Sequence, residues 1–364
     1  MDAPPILQRH PALRWLAPVG VAGVAGIVAT GFFGSSSNST ASLPATTPAA
    51  LIAAVQQPRV TGFSGTVVSH LSLGLPELPT VAGADDATSF TSLLSGSHTM
   101  QVWYGAADRQ RVALLGSTDE TDVFRDGREM WEWSSSGRSA AHVVLPSRSG
   151  GSGPLARLSA ASLTPLGLAQ HLLTGLEPST RIAVDRTREV ADRSAYDLVL
   201  TPKTTDTKVG QVRITVDGRT KVPLGVQVLA RGATSPSVDV AFTKIAFGRQ
   251  AERTFRFTPP SGAKVRNVQL RPRAEAQAPA AGRSPQAVRS GSGWGSVLEL
   301  RTTPERLKSL LRNEIRPAST PVSGSWGKGY LLDSDLISAL ITSDGRVLIG
   351  AVPPSALYAA AGSK

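Results

Sequence analysis

The feature that most constrains this chain is an alternation of apolar and polar residues with a period of two, restarting at short intervals from Thr61 to Val265. Val67 and Leu71 share one parity, as do Met100, Val102 and Tyr104, then Val112 and Leu114. Further on, Tyr196, Leu198 and Leu200 repeat it, followed by Val212, Ile214 and Val216, by Leu224, Val226 and Val228, and by Val238, Val240 and Phe242; Phe255 and Phe257 close the series as a last strand. A period of two places alternate side chains on opposite faces of a strand. About ten such strands at this spacing predict an antiparallel meander, with one apolar face covered and the other wet.

Turn signals punctuate the runs. Asp126-Gly127 separates Thr121–Arg125 from Glu129–Ser134, and Asp217-Gly218 precedes Leu224. Two helices interrupt the pattern. Thr47-Pro48 supplies an N-cap and a first-turn proline for a short helix with Leu51, Ile52 and Val55 on one side. Thr164-Pro165 opens a second, whose Leu166, Ala169, Leu172, Leu173 and Leu176 form an apolar side before Pro178. Two short helices cannot cover the apolar face of ten strands. A sheet curled around that surplus would enclose a cavity, as ligand-holding barrels do.

The order of these segments carries a resemblance. A short helix, then Phe63-Ser64-Gly65-Thr66-Val67, Asp126-Gly127-Arg128-Glu129-Met130-Trp131, Ile214-Thr215-Val216-Asp217, Pro223-Leu224 and a closing Phe255-Arg256-Phe257-Thr258-Pro259-Pro260-Ser261-Gly262-Ala263 resemble the superfamily of the lipoprotein carrier LolA and the envelope-stress regulator RseB, in its membrane-anchored actinobacterial form. The resemblance spans about residues 47–267. It implies an α+β, mainly β fold: an incomplete antiparallel β-barrel closed by helices over a hydrophobic cavity. It also implies a non-enzymatic module that carries or senses lipid or the acyl chains of lipoproteins. The alternative it leaves open is an RseB-like regulator binding a membrane-bound anti-sigma-type partner. The residues it places on the cavity wall are Val67, Leu71, Met100, Val102, Val112, Leu114, Trp131, Trp133, Ile214, Val216, Val226 and Val240, with Leu172 from the second helix. For each, packed core and ligand contact both remain open, because parity fixes a shared face and not what fills it.

Before this block, Arg9 and Arg14 precede an uncharged, largely apolar run from Leu16 to Phe33, and no charge returns until Arg59. The run is at the short end of the roughly 17–25 residues that span a bilayer, and its one-sided basic flank puts the N-terminus in the cytoplasm. A retained signal anchor and a cleaved secretory signal are both compatible; either exports the remainder, to the outer side of the cell membrane or free of it. Residues 34–46 are a Ser/Thr/Pro-rich spacer. With no cysteine, disulfides, thiolate metal sites, cysteine nucleophiles and a lipidated N-terminal cysteine are all excluded, so an anchor must be the polypeptide itself.

The net charge of +11 is dominated by arginine. Such a balance is compatible with nucleic acid, with an anionic membrane face or with an anionic wall polymer, and a codon bias would give it too. The wall polymer makes a cell-wall-associated structural protein a further alternative; nucleic acid is not expected as a partner. Residues 268–293 lie in a stretch, Ala263 to Gly293, that loses alternation and gains Pro, Ala and Arg, and reads as a flexible basic linker. Residues 294–364 regain order as a small α+β domain: strands at Ser296–Leu300, Trp326–Leu332, Leu336–Thr342 and Arg346–Ala351, a helix from Thr303 to before Pro317, and a terminal helix after Pro353-Pro354. At 71 residues it is marginal alone and is expected to dock on the main block or on a partner.

Catalytic signatures are missing. His10, His70, His98, His142 and His171 have no ligand spacing, and there is no HExxH, nucleophile elbow, Walker loop or dinucleotide fingerprint. Asp85-Asp86 and the Asp119–Asp122 group read as solvated loop or strand-edge charges, so no metal and no cofactor is expected.

Overall fold

In the computed structural model the described residues are 43–58, 60–73, 96–145, 164–174, 178–268, 287–301 and 319–363. The expected membrane segment, the helix after Thr303 and Asp85-Asp86 lie outside them. Among the described residues no helix is long and apolar enough to cross a membrane.

Thr47 caps the first helix, α1 (Pro48–Gln56), by accepting a hydrogen bond from the Ala50 amide at 3.2 Å, and Leu51 and Val55 are buried. Six strands follow: β1 (Phe63–Leu71), β2 (Gly96–Ala106), β3 (Arg109–Leu115), β4 (Glu120–Asp126), β5 (Glu129–Ser134) and β6 (Ser139–Val144). The second helix, α2 (Pro165–Thr174), is capped by Thr164, whose hydroxyl accepts from the Gly167 amide at 3.2 Å. Six more strands complete the sheet: β7 (Thr180–Val190), β8 (Arg193–Pro202), β9 (Val209–Asp217), β10 (Pro223–Ala230), β11 (Val238–Phe247) and β12 (Lys264–Val268).

These twelve form one sheet in the order β12-β6-β5-β4-β3-β2-β1-β11-β10-β9-β8-β7. It is open, with β12 and β7 at its edges. Sequential strands pair antiparallel as meanders do, and β1 joins the two halves by pairing with both β2 and β11. The departure from an all-antiparallel sheet is β12, which lies parallel to β6. A parallel pair needs a crossover; between β6 and β12 the chain passes through α2 and β7–β11, and residues 248–263 bring it back from β11 to β6. Phe255 and Phe257, expected as a closing strand, belong to this crossing and are not in a strand, because Pro259-Pro260 offers no amide for a ladder. Phe255 is instead buried against Gly105, where an added Cβ would meet its ring at 2.8 Å.

One face of the sheet, the inner face, is packed under the helices in two clusters. Leu51, Val55, Ala169 and Leu173 cover Leu198, Ile214 and their neighbours on β8–β10, while Leu166 reaches Val67, Met100, Val112 and Leu114 on β1–β3.

Of the expected linker, Lys264–Val268 and Ala287–Ser290 are strands, and residues 269–286 lie outside the described residues. The second of these, β13 (Ala287–Ser290), starts a six-stranded sheet with β14 (Val297–Arg301), β15 (Thr320–Gly324), β16 (Gly327–Asp333), β17 (Ser338–Thr342) and β18 (Arg346–Gly350), in the order β13-β14-β18-β17-β16-β15. The terminal helix, α3 (Pro354–Gly362), buries Leu357 and Ala361 on it. This sheet docks on the first. Leu336 joins the cluster of Leu51 and Leu198, Trp294 Nε1 donates to Thr180 Oγ1 at 2.8 Å, and Thr207 Oγ1 donates to the Ala351 carbonyl at 2.7 Å. Lys208 Nζ reaches Asp333 and the Ser334 carbonyl across the same junction.

Candidate functional site

Register assigns the inner face row by row. Gly65, Val102, Val112, Val123 and Glu132 stand opposite one another across β1–β5. Two residues along, toward the β2–β3 turn, Phe63, Tyr104, Gln110, Arg125 and Met130 make the next row. Above them lies α2. Between helix and sheet is a cleft of about 370 Å³, with Phe63, Val102, Tyr104, Gln110, Val112 and Arg125 on the sheet side. On the helix side are Thr164, Leu166, Gly167, Gln170, His171 and Thr174, and Trp103 and Ala107 complete the lining. The volume falls within the roughly 300–1,000 Å³ of small-molecule sites.

The floor of this cleft has two halves. The Val102–Val112 row is apolar and buried; the Tyr104–Gln110–Arg125 row is polar and partly exposed. Burial pushes the Tyr104 phenol above its ordinary pKa, and the nearby Asp108 carboxylate adds to the rise, so Tyr104 stays a neutral donor. Gln110 Nε2 donates to the Ala107 carbonyl at 3.1 Å, which fixes the side chain at the turn.

Of the thirteen expected wall residues, Val102 and Val112 line the cleft. Val67, Met100, Leu114 and Val240 are buried in the core cluster beside it, with Leu71 at that cluster's margin. Ile214, Val216 and Val226 belong to the other cluster, with Leu172 at its margin, away from the cleft. Trp131 and Trp133 require a correction. Opposite Trp131 is Phe124 and opposite Trp133 is Asp122, so both tryptophans are on the outer face, one residue out of phase with Val123 and Val112. There Phe257 lies against them, at 5.6 Å from the Trp131 ring and 5.7 Å from the Trp133 ring, and stacks on Phe124 at 4.9 Å.

The outer face also holds Asp122, whose carboxyl is shifted by its surroundings. Burial pushes the Asp122 carboxyl up although Arg111 Nε donates to it at 2.8 Å. Arg111 also stacks over Trp103 and Phe124, at 4.6 and 4.7 Å. His142 stacks on Trp131 at 4.1 Å and contacts Glu129, a partner that sequence spacing gave no reason to expect. Among the described residues, no group of three or more His, Asp or Glu side chains could hold a metal ion.

The polar lining residues Tyr104, Gln110, Arg125, Gln170 and His171 were missed by a search for apolar wall positions. The signal for the first three was nonetheless present, since they alternate in phase with Val102, Val112 and Val123.

No family model and no curated protein matches the chain. Among solved structures it is similar to a chain of the Pseudomonas aeruginosa MucA/MucB complex, at 15% identity over 86% of this chain and 95% of that one, with a TM-score of 0.44. It is also similar to a crystal structure of MucB, at 15% identity over 85% of this chain and 94% of that one, with a TM-score of 0.40. A LolA superfamily protein of Nitrosomonas europaea matches at 12% identity over 58% of this chain and 99% of that one, with a TM-score of 0.23. At such TM-scores these structures carry no weight on function, and the cleft has to be read from its own geometry.

Proposed function

We propose that this chain is a non-enzymatic binding module that holds the apolar tail of a lipid or an acylated protein in the cleft beneath α2, on the outer side of the membrane that its N-terminal segment reaches. The observation that carries this is the unfilled space of about 370 Å³ over Val102 and Val112, next to a core that is otherwise packed by the chain's own side chains. Each buried methylene contributes about 0.8 kcal/mol, so a tail with eight of them inside gains roughly 6 kcal/mol before the losses of association are subtracted. That suits a carrier or sensor, which must release what it binds. The lining offers hydrogen-bond donors and one arginine but no carboxylate to act as a base.

The test is organic extraction and mass spectrometry of the full chain purified from its own cells, beside a Gly167→Phe variant. Gly167 lines the cleft from the first turn of α2, and a phenyl group there takes up the space. Lipid that accompanies the parent chain and is missing from a folded Gly167→Phe chain supports the reading. A parent chain free of lipid, or a variant carrying just as much, refutes it and turns attention to a protein partner of the kind that MucB has in MucA.

A further inference from the structure

The cleft floor is not uniformly apolar, and its asymmetry says which end of a ligand goes where. The Val102–Val112 row and the Tyr104–Gln110–Arg125 row are separated by two residues of each strand, about 7 Å. An amphiphile whose tail lies over the first row brings its head onto the second.

The charge of that second row is carried by Arg125, which has no ion-pair partner among the described residues. Arg125 and His171 line the cleft together with no carboxylate. The acids nearest Arg125 in sequence are engaged elsewhere: Asp122 with Arg111 at 2.8 Å, Asp126 with Arg256 at 3.3 Å, and Glu129 with His142. Two further carboxylates stand close without lining the cleft, Asp108 on the β2–β3 turn and the exposed Glu132 one row away, and neither pairs with Arg125. Among the described residues, Arg125 makes no ion pair; its Nε donates to the Gly127 carbonyl at 3.4 Å, leaving the outer guanidinium nitrogens for another acceptor. A guanidinium presents paired donors that match the oxygens of a phosphate or carboxylate.

We infer that Arg125, assisted by Gln110, receives the oxyanion of a single-chain anionic amphiphile whose tail occupies the cleft. This rests on the acyl-binding reading and adds the headgroup class to it. An anion beside a guanidinium gains a charge-assisted hydrogen bond that a neutral head does not, corresponding to a preference of about tenfold or more.

The experiment titrates the full chain calorimetrically, below micelle-forming concentration, with 1-oleoylglycerol 3-phosphate, oleate, 1-oleoylglycerol and inorganic phosphate. The parent chain is expected to bind both anionic amphiphiles about tenfold tighter than 1-oleoylglycerol, by a margin that narrows in high salt. Arg125→Gln is expected to abolish that margin by weakening both anionic amphiphiles far more than 1-oleoylglycerol, and Arg125→Lys to retain part of it; thermal melts confirm that both variants fold. Equal affinity of the parent chain for charged and neutral oleoyl compounds overturns the headgroup assignment and leaves the tail site standing. So does an equal loss of both in Arg125→Gln. Inorganic phosphate bound as tightly as the amphiphiles overturns it too, by making the site an anion site without a tail. Failure of all three oleoyl compounds to bind overturns both readings together.

Discussion

The turn between β9 and β10 offers a sharp test, because a single carboxylate organises it. Asp217 accepts from Arg193 Nε and Nη2, from the amides of Arg219 and Thr220, and from the Thr220 hydroxyl. Burial alone would raise its pKa, but the hydrogen bonds from Arg193 and Thr220 outweigh it and hold the carboxyl below the usual range. In Asp217→Asn the four donors that share Oδ2 still find an oxygen, whereas the amide nitrogen is set against Arg193 Nε, donor to donor. Breaking a fully buried ion pair costs about 3–5 kcal/mol. Asp217 is 1% exposed but Arg193 is 22% exposed and can be rehydrated, so the expected loss is about 2–3 kcal/mol. The pH dependence has a definite sign. Since the folded state lowers this pKa, the contribution is complete above the ordinary carboxylate value of about 4 and fades as pH falls through the lower folded value. Urea unfolding followed by tryptophan fluorescence, at neutral pH and in acid, should therefore show a gap between the two proteins that closes in acid. All other titrating groups are common to both and cancel. A gap that persists undiminished in acid, or one below about 0.5 kcal/mol at neutral pH, refutes the assignment of this carboxylate as a charged anchor.

Phe257→Ala removes the ring that lies over Phe124, Trp131 and Trp133. Full burial would make that about 3–5 kcal/mol; the ring is half-buried, so about 2 kcal/mol is expected, with tryptophan emission shifted to the red, and an unchanged emission maximum counts against the contact. Ser69 Oγ is buried on the inner face with no hydrogen-bond partner among the described residues. Ser69→Ala should then raise stability, by up to about 1 kcal/mol in the same urea assay; a clear loss would mean the hydroxyl is satisfied.

What could be read from the chain before folding was governed by short range. The caps at Thr47 and Thr164 and the parity of Val102 and Val112 are properties of a few neighbouring residues, and the structure has them as expected. The hairpin at Asp126-Gly127 is present, with Asp126 itself paired to Glu129 and Gly127, at φ +63°, in the turn. The assignment of Trp131 and Trp133 to the inner face failed because parity within a strand does not say which of its two faces meets the helices; that is fixed by register, here by Phe124 opposite Trp131. The Phe255–Phe257 segment imitates a strand in spacing, yet its aromatic rings serve to hold a crossover on the outer face. Nothing local marks Lys264–Val268 as partner of Ser139–Val144, more than a hundred residues earlier. A cavity under the helices was expected, but its place over Val102, Val112 and the polar row beyond them was not, since a gap is set by what α2 leaves uncovered, a quantity that no single segment encodes.

The junction around Leu336 changes how the carboxy-terminal sheet can be probed. Leu336, Ile337 and Ala351 pack with residues of α1, α2 and β8, and the Lys208 amide donates to the Ala351 carbonyl at 2.8 Å. Cutting the chain before Trp294 would strip a lid from the first sheet's own interior and orphan Thr207, Lys208 and Thr180. A truncated protein that lost its ligand would report damage to the half that was kept, so the role of the six-stranded sheet has to be sought by altering its far side, with the seam left whole.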